Sequence, residues 1–201
     1  MNNTLSIYLR GFKEEDYKII NVWRNDPEIQ RLVSTGFKYV SEAIEKEWVK
    51  KKMMDNTKDI YLAVCLKSTD EMVGYVSVND INLLNRVARG GGIVLDKRYQ
   101  DGIIRHEVGI LIRNLVFDQL NINRYEGRCL ETHTASRIIM EATGYKLEGI
   151  IRQAVYKDGR YHNLCIYSLL KEDYDMWTMT NMYSLRNFSK KVRELRKVYS
   201  V

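Results

Sequence analysis

The stretch that decides the fold is GIVLDKRYQDGIIRHEVGILIRNLVFDQL, residues 92–120. It begins with a short apolar strand, Gly92–Leu95, and continues through a polar loop. In its second half, apolar residues recur every three or four positions, which predicts an amphipathic helix with one buried face. That face consists of Val108, Leu111, Ile112, Leu115, Val116 and Leu120. The segment therefore predicts a strand, a loop and a helix in succession.

Upstream of this segment, the residue pattern predicts strands and helices in alternation. Alternating apolar and polar residues predict a strand at Leu5–Leu9 and an antiparallel hairpin over Ile60–Asp80. Helices are predicted at Lys13–Trp23, from Asp26-Pro27 onward, and from Ser41 to about Asn56. In the second of these, Asp is the expected N-cap, because proline fits the first position of a helix.

Downstream, a strand at Arg124–Glu131 and a short helix at Ala135–Ala142 precede a last hairpin, Ile150–Leu170. This hairpin is expected to turn at Asp158-Gly159, since Asp-Gly supplies the positive φ angles of a tight turn. Strands in mixed order with flanking helices predict an α/β mixed sheet of the α+β class.

Length and composition are typical of one globular domain: 201 residues, 45% hydrophobic and 29% charged. No run approaches the roughly 20 apolar residues of a membrane span, and the first residues lack signal-peptide character, so we expect a cytoplasmic protein without membrane contact. The three cysteines, Cys65, Cys129 and Cys165, show no ligand spacing, so neither a disulfide framework nor a metal site is expected.

The net charge of +6 is concentrated at the C-terminal end. Residues 186–201 hold six basic residues and one acid, a charge of +5, which leaves +1 for the other 185 residues. We predict a domain over residues 1–175 and a basic helical extension over 176–201. The extension is expected to pack on the domain or on a second subunit of a homodimer, and nucleic acid is not the expected partner.

Four segments carry a family resemblance through their order and spacing. Together they resemble the GNAT superfamily of acetyl-CoA-dependent N-acetyltransferases, and within it the ribosomal-protein-alanine acetyltransferase-like branch. The segments are Leu9-Arg10 with Asp16 and Trp23–Asp26; Val73–Val76 with Asp80–Asn82; Ala135-Ser136 with Gly144–Gly149; and Arg152–Tyr161.

The resemblance implies a GNAT acyltransferase fold, with a mostly antiparallel sheet that is splayed between its fourth and fifth strands. Acetyl-CoA is the implied co-substrate, and no metal is required. Its pantetheine arm would pair with the backbone of Ile93, Val94 and Leu95. Its pyrophosphate would lie on the loop and helix start that hold Gln100, Asp101, Gly102, Ile103, Ile104 and Arg105.

This loop departs from the family pattern, whose two glycines fall on Ile103 and Arg105. Two interpretations remain open. Gly102, one position early, shifts the register of the loop so that Arg105 binds phosphate directly. Alternatively, the Ile103 side chain blocks the phosphates and cofactor binding is weakened or lost.

Amine acetylation needs a neutral amine, a stabilised oxyanion and a proton for the departing thiolate. An alkyl ammonium has a pKa of about 10, so a base contributes near neutral pH. The resemblance implies Ser136 as proton donor, since Met140 replaces the tyrosine of other members. The resemblance places His133 where it would contact the pantetheine arm or act as a base, whereas its position in a loop favours a surface histidine. A backbone N–H near Ile93 would stabilise the oxyanion.

The candidate bases are Asp80 and Glu131 at strand ends, because Arg89 takes the position of the family's usual carboxylate. Four residues are expected to bind the acceptor: Arg24, Asn25, Asp80 and Tyr156. His106 is expected at the exposed start of the phosphate-site helix. The resemblance thus implies direct transfer of acetyl from acetyl-CoA to a primary amine, in a small amine, an amino sugar or a protein N-terminus. The alternative is a catalytically degenerate GNAT-fold protein with a binding or regulatory role.

Overall fold

Seven strands form one mixed sheet in the order β1-β2-β3-β4-β5-β7-β6. The structure is a computed structural model that describes residues 5–33, 39–54, 56–100 and 102–199. All neighbouring strands are antiparallel except β4 and β5, which are parallel. The predicted mixed, mostly antiparallel sheet is therefore confirmed. The strands are β1 (Ile7–Gly11), β2 (Ile60–Leu66), β3 (Met72–Asn82), β4 (Val87–Leu95), β5 (Arg124–Leu130), β6 (Lys146–Lys157) and β7 (Arg160–Leu170).

Helices flank this sheet, and the predicted helix starts agree with their observed bounds. The Asp26 side chain caps one of them by accepting hydrogen bonds from the amides of Glu28 and Ile29, as the sequence predicts. In the described parts of the chain, no helix is long and apolar enough to cross a bilayer. The helices are α1 (Tyr17–Asn25), α2 (Pro27–Leu32), α3 (Glu42–Met54), α4 (Ile103–Asn114), α5 (Thr134–Ala142), α6 (Lys171–Met179) and α7 (Leu185–Val198).

Helices cover both faces of the central strands of the sheet. On one face, Val108 and Ile112 of α4 pack on the inward side chains of β3 and β4, together with the stacked rings of Phe117 and Tyr174. On the other face, α1 and α3 bury a second cluster. Its members are Phe12, Ile20, Trp23, Ile29, Val49, Ala63 and Cys65. Two apolar layers thus hold the strands in place, which fixes the geometry of any gap between them.

The ladder between β4 and β5 ends after three residue pairs, the last of which is Arg89↔Glu126. Beyond it, β3 is the one strand among the described residues with which β4 pairs. At this point Gly91 and Gly92 oppose the single residue Ser77, which is a β-bulge. Gly92 adopts a φ of 98°, and a Cβ at Gly91 would overlap the Ser77 hydroxyl, so both positions require glycine. The expected splay between the fourth and fifth strands is confirmed.

The C-terminal helices pack on the α4 face. Phe188 of α7 stacks on the His106 ring at 4.2 Å, and the Tyr199 hydroxyl donates to Glu141 of α5. His106 is therefore only 4% exposed, and its Nε2 bonds the carbonyl oxygen of Tyr183. The expectation of an exposed His106 is wrong, because a segment about 80 residues further along the chain covers it.

Burial, with Arg113 nearby, lowers the pKa of His106 from 6.5 to about 4. The unfolded chain takes up this proton first as pH falls, so stability is complete above pH 6.5 and decreases between 6.5 and about 4. We expect the wild type to lose up to about 3 kcal/mol in this window through His106. His106→Gln keeps a donor for Tyr183 but does not titrate. Urea unfolding at pH 7 and pH 4.5 tests this, and an equal loss in both proteins would contradict it.

Candidate active site

A cavity of about 160 Å³ lies where β4 and β5 separate, on the side of the sheet that faces α4. Its walls come from β4, β5, α4 and α5, and Phe188 of α7 contributes from the C-terminal extension. The lining includes Gly90, Gly92, Ile93, Arg105, His106, Gly109, Arg113, Tyr125, Glu126, Gly127, Ser136 and Met140. The cavity therefore brings together residues that are up to about 100 positions apart in the sequence.

The three β4 residues that were predicted to hold a cofactor arm lie at this opening. Ile93, Val94 and Leu95 pair with β3 on one side only, and their β5 side has no ladder partner among the described residues. Leu95 is buried in the core, whereas Ile93 lines the cavity. An extended ligand chain can add to such an edge as a strand would.

The loop after β4 leads into the positive end of α4. Gly102 adopts a φ of 95° and is the N-cap of α4, with its carbonyl oxygen accepting from the His106 amide. The Ile103 side chain is 46% exposed and does not line the cavity, and Ile104 is buried in the core. The Gln100 side chain folds back onto the Leu95 carbonyl at 3.1 Å. Asp101 lies outside the described residues.

Arg105, in the first turn of α4, is a half-buried cation at the cavity wall. No carboxylate or carbonyl among the described residues pairs with its guanidinium, and burial lowers its pKa. His133, whose pKa is lowered by burial and then by Arg105, is half-buried rather than a surface-loop residue. Its Nδ1 caps α5 by accepting from the Ser136 amide at 3.4 Å. Two helix N-termini and one unpaired cation make this end of the cavity suited to anions.

Of the hydroxyls that line the cavity, those of Ser136 and Tyr125 are the candidate proton donors. Ser136 lines it from the first turn of α5, close to Cys129, and burial raises the pKa of the Cys129 thiol to about 12. Sequence reasoning missed Tyr125. Its hydroxyl lies against Gly90, where a Cβ would come within 3.0 Å, and burial raises its pKa, which keeps the phenol protonated. Met140 places its sulfur against Gly127.

The candidate bases differ in position. Asp80, with its side chain 65% exposed, accepts from Arg89 at 2.7 Å, and Glu131 accepts from Asn163 at 2.8 Å. Neither lines the cavity. Glu126 does, and it stands beside Arg89 where the strands part. Sequence reasoning missed Glu126, because nothing in the pattern of β5 marks its interior positions as the splay.

The partners of Glu126 are arginines on its own strand. Its carboxylate pairs with Arg124 at 3.1 Å and with Arg128 at 3.3 Å, and Arg124 also pairs with Glu148. Near the opening, carboxylates and guanidiniums thus alternate, and Glu126 is the carboxylate that borders the cavity.

The predicted acceptor-binding residues are engaged within the fold. The Arg24 guanidinium lies 4.0 Å from the Trp48 ring centre and 3.5 Å from Glu45, whose pKa is raised by burial. The Asn25 amide bonds both backbone groups of Val40, at 2.9 and 3.0 Å. Neither residue lines the cavity.

Tyr156 is 62% exposed and contacts Tyr161 across the β6–β7 hairpin. Next to the turn of this hairpin, Lys157 is buried, and its Nζ donates to the carbonyls of Gln30, Arg31 and Val33 at 2.7–3.0 Å. The desolvation lowers the pKa of Lys157. The lysine therefore caps the C-terminus of α2 and holds the hairpin against it.

No group of three or more His, Cys, Asp or Glu side chains that could hold a metal ion occurs in the described ranges. The site's polar groups are instead hydroxyls, guanidiniums, one carboxylate and backbone amides.

Comparisons with known proteins agree with this geometry. Residues 6–146 match the family model described as an acetyltransferase (GNAT) domain. The uncharacterized N-acetyltransferase p20 of Bacillus licheniformis is 27% identical over 179 residues, which cover 85% of this chain and 96% of the relative. The putative ribosomal N-acetyltransferase YdaF of Bacillus subtilis (strain 168) is 30% identical over 104 residues, or 52% of this chain and 56% of the relative.

Among solved structures, a spermidine N-acetyltransferase from Vibrio cholerae in complex with CoA and spermine is similar, with a TM-score of 0.78. It shares 18% sequence identity, over 84% of this chain and 98% of that chain. A GCN5-related N-acetyltransferase from Brucella melitensis has a TM-score of 0.72 and 20% identity, over 96% of this chain and 91% of that chain. At these identities, the structural likeness concerns the fold.

Proposed function

The chain belongs to the GNAT family of acetyltransferases, and we propose that it transfers acetyl from acetyl-CoA directly to a primary amine. The observation that carries this proposal is the opening between β4 and β5, with an unpaired strand edge on one wall. The amine nitrogen attacks the thioester carbonyl carbon, the C–S bond breaks, and the thiolate takes a proton. The nitrogen loses a proton to the base, and the amide product keeps the acetyl group.

Cofactor binding in this proposal uses the strand edge and the start of α4. The pantetheine arm pairs with Ile93–Leu95, and the diphosphate lies on the first turn of α4 beside Arg105. The left-handed Gly102 and the outward Ile103 side chain support the shifted loop register over the blocked loop. His133, at the N-cap of α5, is assigned to the wall of the pantetheine channel.

The chemical step needs an oxyanion donor, an acid and a base. A backbone N–H of Ile93 or a neighbour is the proposed oxyanion donor. Ser136 is the first proposed acid, and Tyr125 is the alternative, since both hydroxyls line the cavity. We assign the base to Glu126 in preference to Asp80 and Glu131, because it alone of the three borders the cavity.

We infer the class of acceptor from the charges on the side of the opening opposite the proposed phosphate site. Glu126 and Asp80 attract a cationic amine, and the exposed Tyr156 ring offers it a π face. The names of two similar proteins point to different acceptors: the structural neighbour is called a spermidine N-acetyltransferase, and YdaF is called a putative ribosomal N-acetyltransferase. Membership of the ribosomal-protein-alanine acetyltransferase-like branch is part of this proposal.

A second candidate is a GNAT-fold protein that binds CoA without catalysis. The observations in its favour are Met140 and Arg89, which replace the family's usual acid and base positions. Measured turnover separates the two candidates.

A thiol-release assay with acetyl-CoA and a panel of primary amines tests the proposed function. The panel holds spermidine, glucosamine and a peptide with N-terminal alanine, and a trimethylated amine is the negative control. We expect thiol release with at least one primary amine and none with the control. CoA binding by calorimetry without release from any amine would favour the noncatalytic candidate.

Two isosteric variants extend this assay to the base. Glu126→Gln should lower kcat by about 100-fold, the usual contribution of a general base. Glu131→Gln removes a carboxylate of the same strand region that bonds Asn163, and its kcat should stay close to that of the wild type. If Glu131→Gln lost about 100-fold in kcat and Glu126→Gln stayed close to the wild type, Glu131 would be the base.

Arg105→Ala should weaken CoA binding by about 10- to 100-fold, since a charge-assisted bond to phosphate is worth about 1.5–3 kcal/mol. Arg98→Ala is the matched control, because Arg98 lies in the same connection and already pairs with Asp96 and Glu71. Calorimetric titration with CoA measures both. Equal affinity of Arg105→Ala and wild type would refute the role of Arg105.

Ser136→Ala should lower kcat by about 100-fold and leave CoA affinity unchanged, because the hydroxyl acts on the leaving thiolate. Tyr125→Phe removes the hydroxyl of the alternative acid and should retain most activity. Steady-state kinetics and CoA titration of both variants test the assignment. An unchanged kcat in Ser136→Ala with a loss in Tyr125→Phe would transfer the acid role to Tyr125.

A further inference from the structure

A buried cation without a counter-ion borders the deep part of the cavity. Arg113, on the last turn of α4, is 4% exposed. Its guanidinium lies 4.3 Å from the ring centre of Tyr183, and no carboxylate in the described chain pairs with it. Its Nη2 has no hydrogen-bond partner there. A buried guanidinium is costly unless a charge or acceptor compensates it, so this position suits an anionic group.

Two further buried polar atoms lie around Arg113. The Nδ1 of His106 and the hydroxyl of Tyr183 are both without hydrogen-bond partners among the described residues. Arg113 also lowers the pKa of His106, which means that its positive charge acts on the imidazole. These three side chains are the Arg113 cluster, and together they present donors and a lone pair at one place.

Glycines keep the space next to this cluster open. A Cβ at Gly109 would come within 3.0 Å of the Arg113 Nη1, and one at Gly127 would lie 2.7 Å from the Met140 sulfur. A Cβ at Gly90 would likewise lie 3.0 Å from the Tyr125 hydroxyl. The three glycines belong to α4, β5 and β4, and all of them line the cavity. The remaining volume of about 160 Å³ equals roughly five water molecules at about 30 Å³ each.

The position of Arg113 along α4 indicates which part of a bound donor would lie next to it. The first turn of α4, with Arg105, lies at the phosphate end of the proposed cofactor path. Arg113 is two turns further, and its charge acts on Tyr125, which pairs with Ala88 where β4 and β5 are still joined. A thioester that enters between the strands from the phosphate end therefore points its acyl chain toward Arg113.

We propose that the donor site accepts acyl-CoA esters whose acyl chain ends in a carboxylate, and that Arg113 binds this carboxylate. Malonyl-CoA and succinyl-CoA are short donors of this kind. The inference rests on the proposed function, because it assigns the inner end of the same donor site. An acetyl group is neutral and offers the guanidinium no partner, whereas a terminal carboxylate provides a charge-assisted one.

Transfer of such an acyl group forms and breaks the same bonds as acetylation. The amine nitrogen forms a bond to the thioester carbonyl carbon, the C–S bond breaks, and the thiolate receives a proton. The nitrogen loses a proton to Glu126, the proposed base, and the terminal carboxylate takes no part in the bond changes. The product is an amide that carries a free carboxylate, so the amine's positive charge is replaced by a negative one.

Donor specificity tests this proposal. We would measure kcat/KM for acetyl-, butyryl- and succinyl-CoA with one amine, in the wild type and in Arg113→Gln. Butyryl-CoA has the four-carbon chain of succinyl-CoA without the carboxylate. In the wild type, succinyl-CoA should exceed butyryl-CoA by at least about tenfold. In Arg113→Gln, succinyl-CoA alone should fall by about 10- to 100-fold.

Two further variants keep the test independent of folding. Arg193→Gln removes an exposed charge of α7 and should leave all three donors unchanged. Gly109→Ala adds a methyl group against the guanidinium and should lower succinyl-CoA turnover more than acetyl-CoA turnover. This variant preserves every charge, so a loss confined to succinyl-CoA would reflect the cavity itself.

Three outcomes separate the proposals. Turnover of acetyl-CoA with no preference for succinyl- over butyryl-CoA would overturn the Arg113 assignment and leave the acetyltransferase function intact. Failure of every CoA ester to bind would overturn both the Arg113 assignment and the acetyltransferase function. If free succinate raises the unfolding temperature of the wild type but not of Arg113→Gln, while succinyl-CoA is not a donor, the cluster binds a free carboxylate and the donor assignment is wrong.

Discussion

The bulge at Gly91-Gly92 is the constraint on which the rest of the structure depends. Two residues of β4 face one residue of β3, so β4 bends and its ladder with β5 ends after Arg89↔Glu126. A regular strand here would continue the pairing and close the sheet. The cavity, its strand edge and the approach to α4 all exist because this ladder stops early.

The charged groups on the two sides of the opening differ in their partners: on the helix side the cations have no carboxylate partner among the described residues, whereas on the strand side each carboxylate is paired with arginine. Arg105, Arg113 and the N-termini of α4 and α5 surround the cavity on the helix side, where an anionic donor would lie. Glu126 and Asp80 lie toward the point where an amine would arrive. This division favours an anionic thioester and a cationic amine on opposite sides of one gap, which is the arrangement that direct transfer needs.

The sequence alone predicts what depends on local pattern, including the Asp26 cap, the buried face of α4 and the turn at Asp158-Gly159. The splay was predicted from family resemblance, whereas its cause, the bulge, requires knowledge of the β3 register. The sequence analysis predicts a surface position for His106 and does not single out Arg113 or Glu126. The surroundings of these residues depend on segments that are distant in the sequence. For the same reason the triple carbonyl cap by Lys157 has no local signal, because residues more than 120 positions apart form it.

The central claim is that the β5-facing edge of β4 receives the pantetheine arm of the donor. A crystal structure of the protein with CoA tests this most directly. The account predicts amide groups of pantetheine hydrogen-bonded to the backbone of Ile93–Leu95, with the diphosphate at the first turn of α4 beside Arg105. A structure in which CoA lies elsewhere on the surface, or in which β4 and β5 are paired along their whole length, would contradict the account.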